Sequence, residues 1–386
     1  MTDVPHGPLR PAGLDDVDEL ALLWSQAFPS RTAHERAREL RDGMTYGALD
    51  DCWIVREHGE AVGALRTYRL GLHARGRCWP TLGLAAVAVA PDHRRRGLAR
   101  RMCVHALAMG RARGCVLAAL YPFRTSFYSD LGFTLVGALH RYRFAPADLP
   151  LYPGWEGVRR VRDAGELRGV YHAAARSSTG LIDRPDAAWR FLADPRTAAF
   201  LHHDASGHAT GYVVIRLGRG RASERMRVIE LVALDESAHQ ALLGWIAAQR
   251  DQFAMVLYDA LPGEQLDRRL RHARRAGSVR ARGLWMETAT LLRGPMVRLL
   301  DPAAVQDEAS GVGFGLLDPD LPGSAGRWVG GRRAGGPADA RPGEHVMGPG
   351  EAAERFLAGR LPGQRPPPDG WTPIPFGEEF RMLDEF

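Results

Sequence analysis

The chain has 386 residues, of which 45% are hydrophobic and 25% charged, a composition typical of globular domains and unlike that of disordered chains. The net charge at pH 7 is +6, from 51 basic and 45 acidic residues. All 51 basic residues are arginines, because the sequence has no lysine, and they are spread along its length. We therefore interpret the basic balance as a solvated surface and expect no nucleic-acid partner. The sequence shows no apolar run long enough to cross a bilayer and no signal-peptide pattern at its start, so we expect a cytoplasmic protein with no membrane partner.

The first part of the chain, residues 1–146, is typical of an α/β block. Acidic residues ahead of an apolar stretch predict a helix start, and small and β-branched residues between two prolines predict a central strand covered on both faces. The predicted elements are two helices within 14–41, strands at 52–57, 61–72 and 81–90, a helix at 98–113, a strand from 116, a short helix at 125–131 and a strand ending at 144.

The same order returns in outline over residues 147–293, which predicts a second copy with altered loops. Its predicted elements are a helix at 165–175, strands at 198–204, 210–217 and 227–234, a helix at 238–250 and a strand at 254–258. A third segment opens at 294. Within it the glycine- and proline-rich stretch 327–345 predicts loop structure, because it has no periodic apolar face.

Three arginines precede a glycine where the helix after the central strand is predicted to begin. The order Arg94, Arg95, Arg96, Gly97, with Ala99 two residues on, would expose backbone N–H groups toward one point at a helix N-terminus. We interpret it as a pyrophosphate-binding loop, since glycine permits close approach of a phosphate and arginines supply mobile cations. An arginine-rich surface loop is the alternative for this pattern by itself, and the flanking strand and helix favour the binding loop.

The stretch TLGLAAVAVAPDHRRRGLARRM, followed by SFYSDLGF, resembles the signature of the Gcn5-related (GNAT) N-acetyltransferases. The run VAVAPDHRRRGLARRMC, the length, the degenerate second copy and the terminal LDEF are similar to the enhanced intracellular survival (Eis) family of bacterial acetyltransferases. The resemblance implies two tandem GNAT-type α/β domains at 1–146 and 147–293, the second without a working cofactor site, and a small α+β sterol-carrier-protein-like domain at 294–386. It also implies a homo-oligomer, a hexamer of two trimers, that transfers acetyl groups from acetyl-CoA to small-molecule amines, including those of aminoglycosides.

The resemblance also implies roles for single residues. Val87, Ala88 and Val89 would offer backbone groups to the pantetheine arm of acetyl-CoA, and Leu98 would continue the phosphate-binding loop. Tyr128 falls at the general acid that protonates the departing thiolate, a role for which a phenol with a pKa near 10 is suited. The alternative role for Tyr128 is packing on the core side of a short helix.

At the chain end, the resemblance places the terminal carboxylate of Phe386 at the catalytic base, with Glu385 beside it on the acceptor side. Trp24 and Phe28 lie one helical turn apart, where they would either line the acceptor pocket or form an apolar helix face. The resemblance implies a bulky aromatic residue where this chain has Ala86, so we expect a wider acceptor pocket.

The four cysteines lie far apart without C-x-x-C spacing, and no spaced set of histidines and acids stands out, so we expect no metal site. The leading hypothesis is an acetyl-CoA-dependent amine N-acetyltransferase that works by direct transfer. A CoA-binding regulatory or scaffold protein without turnover and a nucleic-acid-binding protein are the alternatives. The acceptor stays open among aminoglycosides, polyamines, peptide or protein lysines and a dedicated metabolite.

Overall fold

The computed structural model describes residues 8–218, 224–276, 286–305, 311–359 and 361. In those ranges no helix combines the length and the apolar character that a membrane span requires. The helices are α1 Val17–Ala27, α2 Ala33–Asp42, α3 Leu98–Ala112, α4 Thr125–Ser129, α5 Arg168–Ser177, α6 Glu236–Ala248, α7 Leu266–Arg269 and α8 Pro349–Leu357.

The strands form three sheets. Those of the first half are β1 Arg10–Pro11, β2 Cys52–Glu57, β3 Glu60–Ala74, β4 Arg77–Val89, β5 Leu117–Leu120, β6 Thr134–Leu135 and β7 Ala138–Phe144. Those that follow are β8 Val158–Val161, β9 Thr197–His203, β10 Ala209–Leu217, β11 Arg225–Ala233, β12 Met255–Ala260, β13 Ala289–Arg293, β14 Met296–Leu299, β15 Gly313–Leu316, β16 Gly326–Val329, β17 Arg332–Gly335 and β18 Val346–Met347.

The first two sheets repeat one topology. The first has the order β1-β2-β3-β4-β5-β14-β6, and the second, taken from its other edge, has β8-β9-β10-β11-β12-β7-β13. In each sheet one parallel pair, β4 with β5 or β11 with β12, adjoins antiparallel neighbours. The repeat predicted from the sequence is therefore present as two α/β units, each with a helix, α3 or α6, between its parallel strands.

The two sheets exchange one strand each. The sixth position of the first sheet is filled by β14, and the same position of the second sheet by β7. The prediction that the strand ending at 144 completes the first block is therefore wrong, because β7 pairs with β12 and β13. The segment from 294 likewise begins in the first sheet, where β14 pairs with β5 and β6. The sheets thus do not divide at the predicted boundaries of 146 and 293.

Tight turns explain why the first hairpins form where they do. His58 and Gly59 join β2 to β3 with φ values of 50° and 89°, and Arg75 and Gly76 join β3 to β4 with 55° and 69°. Positive φ at both central residues gives the turn whose twist matches that of paired strands. The second hairpin lets β4 begin at Arg77, four residues before the predicted start.

The third sheet has the order β17-β16-β15-β18. Residues 327–345, predicted as loop, contain the end of β16 and all of β17, and that prediction is wrong. Gly330 and Gly331, at φ 53° and 75°, form the two-residue turn between these strands. A Gly-Gly pair is itself a hairpin signal, because glycine adopts positive φ without strain. The sterol-carrier-like domain stays a prediction, since the described residues show only this sheet and α8.

The third segment packs on the first sheet rather than standing apart. Phe356 of α8 lies edge-on to Trp79 of β4, with ring centroids 4.9 Å apart. Both belong to a buried apolar cluster that also holds residues of β5 and β14. Arg298 of β14, which is fully buried, pairs with Asp318 at 2.5 Å, so the segment after β15 is tied to the same sheet.

Candidate active site

The central strand β4 separates from its parallel neighbour halfway along its length. It pairs with β5 only over Thr81, Leu82 and Gly83, and β5 ends at Leu120. On its other edge β4 stays paired with β3 up to Val89. Within the described ranges no strand pairs with the β5-facing edge of residues 84–89. Backbone N–H and C=O groups on such an edge are available to an extended ligand.

A β-bulge lies in the separated part of β4. Ala85 is paired with Arg66 and Ala88 with Ala64, so β4 has one residue more than β3 in this interval. The bulged Ala86 has φ 50°, a left-handed conformation that side chains disfavour. Its carbonyl oxygen accepts a 2.7 Å hydrogen bond from the indole Nε1 of Trp24. The buried tryptophan of α1 therefore fixes the backbone at the point where β4 diverges.

The loop after β4 ends at an uncapped helix N-terminus. Gly97, the N-cap residue of α3, has φ 77° and offers no side chain to the first helical N–H groups. Arg95, two residues earlier, also has a positive φ of 61°. Residues with positive φ that alternate with residues of ordinary φ turn successive backbone N–H groups toward one side, where they can bind an anion. The structure thus places Arg94, Arg95, Arg96 and Gly97 together on an exposed loop.

Two arginines of this loop donate hydrogen bonds to backbone oxygens. Arg94 Nε donates to the carbonyl of Val89 at 3.2 Å, and an Nη of Arg96 donates to that of Asp92 at 2.9 Å. Across the described ranges none of Arg94, Arg95 and Arg96 forms an ion pair with a carboxylate, so their charge is left for another partner.

A contact that the sequence did not indicate holds this loop in place. His93 Nε2 lies 2.9 Å from a carboxylate oxygen of Glu57, whose side chain is 7% exposed at the end of β2. The contact ties the loop to the neighbouring hairpin. His93 lies just before the three arginines, but its partner is remote in sequence, so only the pairing of β2 with β3 and of β3 with β4 would have indicated the contact.

Tyr128 lies in α4 with 4% of its surface exposed, against the rings of Phe127 and Phe133 at centroid distances of 4.9 and 6.1 Å. Burial, and next the neighbouring Cys103 thiol, raise the pKa of Tyr128. A buried phenol with a raised pKa holds its proton at neutral pH. Tyr128 therefore carries its phenolic proton at neutral pH.

A second residue missed from the sequence supports the turn after Tyr128. Arg298, the single charged residue in β14, donates through its guanidinium to the carbonyl oxygen of Leu131. Its buried partner Asp318 accepts from the same guanidinium. The signal was an arginine inside the apolar run MVRLL, which is unusual in a buried strand.

The predicted site residues collect on the two faces of β4. One apolar cluster contains Val87, Val89, Leu98 and Tyr128, and Ala99 follows in the first turn of α3. The other cluster contains residues on the α1 side, and its members predicted from the sequence are Trp24, Phe28, Ala86 and Ala88. Glu385 and Phe386 lie outside the described residues.

Arg66 of β3, which the sequence analysis did not single out, lies on the α1 side. Its guanidinium carbon is 5.7 Å from the Trp24 ring and 5.3 Å from the Tyr68 ring, and its nearest carboxylate is Glu39 at 3.9 Å. The side chain is 13% exposed. A cation held between two aromatic faces is a fixed charge beside the bulge.

The second sheet keeps the framework but closes the equivalent helix end. A register shift places Glu230 opposite Val214 and Val228 opposite Ile215, so β11 also bulges. The helix that follows, α6, is capped by Asp235, whose carboxylate accepts from the backbone N–H of Ala238 at 2.7 Å. This carboxylate occupies the position that a bound anion would take at an uncapped helix.

Comparisons with known proteins agree with this architecture. Two family models, each described as an acetyltransferase (GNAT) domain, match residues 8–136 and 180–299. The N-acetyltransferase Eis of Mycobacterium tuberculosis is 31% identical over 294 residues, which cover 70% of this chain and 71% of that protein.

Solved structures share the fold along nearly the whole chain. A GCN5-related N-acetyltransferase from Anabaena variabilis superposes with a TM-score of 0.74 at 18% identity, covering 98% of this chain and 100% of the other. Eis1 from Mycobacterium abscessus superposes with a TM-score of 0.69 at 20% identity, covering 91% and 89%. With two GNAT domains and a relative of this identity and coverage, the chain belongs to the Eis family of GNAT N-acetyltransferases.

Proposed function

We propose that this N-acetyltransferase takes its acetyl group from acetyl-CoA and transfers it directly to the amine of a small cationic acceptor. The observation that carries the proposal is the open edge of β4 leading to an uncapped helix N-terminus. Acetyl-CoA has an extended arm with amide groups and a pyrophosphate at its far end. These groups match a strand edge and a helix end that follow one another in the chain.

In this proposal, backbone groups of Val87, Ala88 and Val89 hold the arm, and the loop from Arg94 to Ala99 binds the pyrophosphate. Bound acetyl-CoA supplies a thioester whose carbonyl carbon is open to attack by a neutral amine. The guanidinium groups of this loop, which form no ion pair within the described ranges, would contribute charge-assisted hydrogen bonds, each worth about 1.5–3 kcal/mol. Together with Gly97 they would determine the affinity for the donor.

Proton transfers then fall to two groups. The carboxylate of Phe386 would accept the proton of the acceptor ammonium, directly or through water, and Tyr128 would donate its own to the departing sulfur. Burial keeps the phenol of Tyr128 protonated at neutral pH, which is the state that a general acid must have before the transfer. Trp24, Phe28, Ala86 and Glu385 would line the acceptor side.

The second unit would be structural, since Asp235 caps its helix where the donor phosphate would bind. We further propose a trimer-based hexamer and a division of labour along the chain, in which 1–146 is catalytic and 294–386 carries the catalytic tail. Light scattering coupled to chromatography measures the assembly, and a monomer at working concentration would contradict that part of the proposal.

The function is tested by measuring thiol release from acetyl-CoA with a panel of acceptors: an aminoglycoside, spermidine, a lysine-containing peptide and no amine. We expect release that depends on the amine and an acetylated product by mass spectrometry. A CoA-binding scaffold would instead bind acetyl-CoA in calorimetry and release no thiol with any acceptor. A steep loss of DNA affinity with salt, without thiol release, would favour the nucleic-acid alternative.

A further inference from the structure

Three potential metal ligands meet at the far end of the β3–β4 hairpin, away from the bulge. His73 Nε2 lies 2.7 Å from one carboxylate oxygen of Asp183, and the Cys78 Sγ lies 3.1 Å from the other. One atom from each of the three side chains falls within 4.8 Å of the other two. Across the described ranges this is the one group of three such residues that is close enough to share an ion.

The backbone holds the three residues in this arrangement. His73 and Cys78 are directly paired across the hairpin, so their side chains lie on the same face. Asp183 comes from the segment between α5 and β9, and its N–H donates to the carbonyl oxygen of Gly71 at 2.8 Å. Two residues earlier in the same segment, the carbonyl oxygen of Leu181 accepts a hydrogen bond from the N–H of His73 at 2.7 Å. The ligand set is therefore positioned by main-chain hydrogen bonds from both sides.

Gly71 leaves the space in which the three side chains meet. A Cβ atom at this position would lie 2.5 Å from the Cys78 sulfur and 2.8 Å from a carboxylate oxygen of Asp183. Atoms do not approach so closely without displacement, so any larger residue would push the cluster apart. The absence of a side chain here is a requirement of the cluster and not of the turn, which lies at Arg75 and Gly76.

One imidazole nitrogen, one sulfur and one carboxylate oxygen form a ligand set typical of Zn²⁺, at bond lengths of about 2.0–2.3 Å. We propose that His73, Cys78 and Asp183 bind a Zn²⁺ ion, with water as the fourth ligand. The Asp183 side chain is 60% exposed, so it can rotate from its present hydrogen bonds toward an ion. Cys78 and Asp183 also line a cleft of about 570 Å³, together with Tyr46, Tyr68 and Arg184, among others.

The ion would hold the two repeats together and would take no part in acetyl transfer. Cys78 is eight residues before Ala86 on the same strand, which at about 3.3 Å per residue is roughly 26 Å from the bulge. His73 and Cys78 belong to the first sheet, whereas Asp183 lies in the second repeat, between α5 and β9. Zn²⁺ would therefore join the two repeats at a point remote from the chemistry.

Binding would follow a simple proton balance. A cysteine thiol is largely protonated at neutral pH, whereas zinc binds the thiolate form. On binding, a sulfur–zinc bond forms, the S–H bond breaks and its proton passes to solvent. Affinity should therefore rise with pH, and one proton should be released for each ion bound.

The proposal is tested on the untagged full-length protein after treatment with a chelator. Titration with Co²⁺ should reach saturation at one equivalent and produce a thiolate-to-cobalt charge-transfer band, and Zn²⁺ should displace the cobalt. Cys78→Ser should abolish that band and weaken Zn²⁺ binding by more than about 100-fold, beyond the loss typical of outer-shell changes. His73→Gln and Asp183→Asn should weaken it as well.

His208→Gln is the matched control, because His208 is an exposed histidine that also lies beside an aspartate, 3.7 Å from Asp204. It should bind Zn²⁺ as the wild type does and show the same rise in thermal midpoint with the ion, which Cys78→Ser should lack. Should Cys78→Ser fail to fold, Gly71→Ala leaves all three ligands in place and should still lower the affinity. Wild-type protein without a charge-transfer band, or equal Zn²⁺ affinity in wild type and Cys78→Ser, would overturn the site and leave the acetyltransferase proposal untouched.

Discussion

The two ends of α3 carry a matched pair of glycines that tests the phosphate-binding role of the loop. Gly97 precedes the helix at φ 77° and Gly114 follows it at φ 80°. A Cβ at Gly97 would meet only an Nη of Arg101 at 3.9 Å, and one at Gly114 would meet nothing within 4 Å. At either end the Cβ of a replacement residue therefore meets backbone strain but no close neighbour.

The strain is similar at the two positions, because both require the left-handed conformation that costs an ordinary residue about 1–2 kcal/mol. We expect Gly97→Leu and Gly114→Leu to lower the free energy of unfolding by similar amounts, measured by chemical denaturation. Only Gly97 stands at the helix end where the proposal places the pyrophosphate. Any difference in ligand affinity between the variants then reports on the ligand and not on folding.

Calorimetric titration with acetyl-CoA measures that difference. Loss of one charge-assisted phosphate contact, about 1.5–3 kcal/mol, corresponds to a rise in Kd of about 10- to 150-fold for Gly97→Leu. Gly114→Leu should keep the wild-type Kd. Wild-type affinity in Gly97→Leu, or an equal loss in both variants, would refute the assignment of the loop.

Tyr128→Phe should lower kcat by about 10²- to 10⁴-fold with little change in the Kd for acetyl-CoA. Tyr142→Phe, which removes a buried phenol hydroxyl in the second sheet, should leave kcat unchanged. Steady-state kinetics with thiol detection compare the two variants, and full activity in Tyr128→Phe would make Tyr128 a packing residue. A C-terminal tag, or deletion of Phe386, should abolish turnover but not donor binding, and an N-terminal tag should do neither; wild-type rates from the extended chain would remove the carboxylate from the mechanism. The Arg10 guanidinium holds the pKa of Asp16 well below its usual range, so the carboxylate stabilises the fold above its unfolded pKa near 4 and loses that contribution as the pH falls toward its folded value. Asp16→Asn should therefore be less stable than wild type at neutral pH, and urea titrations should show the difference shrinking below about pH 4; a constant difference would contradict the ion pair.

The local elements of the first unit followed from the sequence because their signals are local. The helices α1, α2 and α3 and the run before Pro91 all formed within a few residues of their predicted bounds. The arginine motif was predicted at the start of α3, and it lies there. In each case the deciding physics, periodicity or the conformational freedom of glycine, acts over fewer than about ten residues.

The parts that could not be predicted depend on partners remote in the chain. Nothing around Ala138 indicates that β7 pairs with β12, and the apolar run of β14 fits either sheet equally well. The anchor between His93 and Glu57 and the cluster around Cys78 likewise need the register of the hairpins. Cysteine spacing gave no signal for that cluster, because its members come from both strands of a hairpin and from another unit.

The exchanged strands have a consequence for how this chain is made. On the ribosome β5 emerges long before β14, its neighbour in the first sheet, and the whole of the second unit is synthesised in between. At about 5–20 residues per second the interval is of the order of 10 s or more. During that time the edge of β5 has no neighbouring strand, and β7 likewise stays unpaired until β12 has been synthesised. The first sheet is therefore incomplete on the nascent chain until Leu299 leaves the exit tunnel, and an unpaired strand edge of this kind is where we expect chaperone contact or aggregation during synthesis.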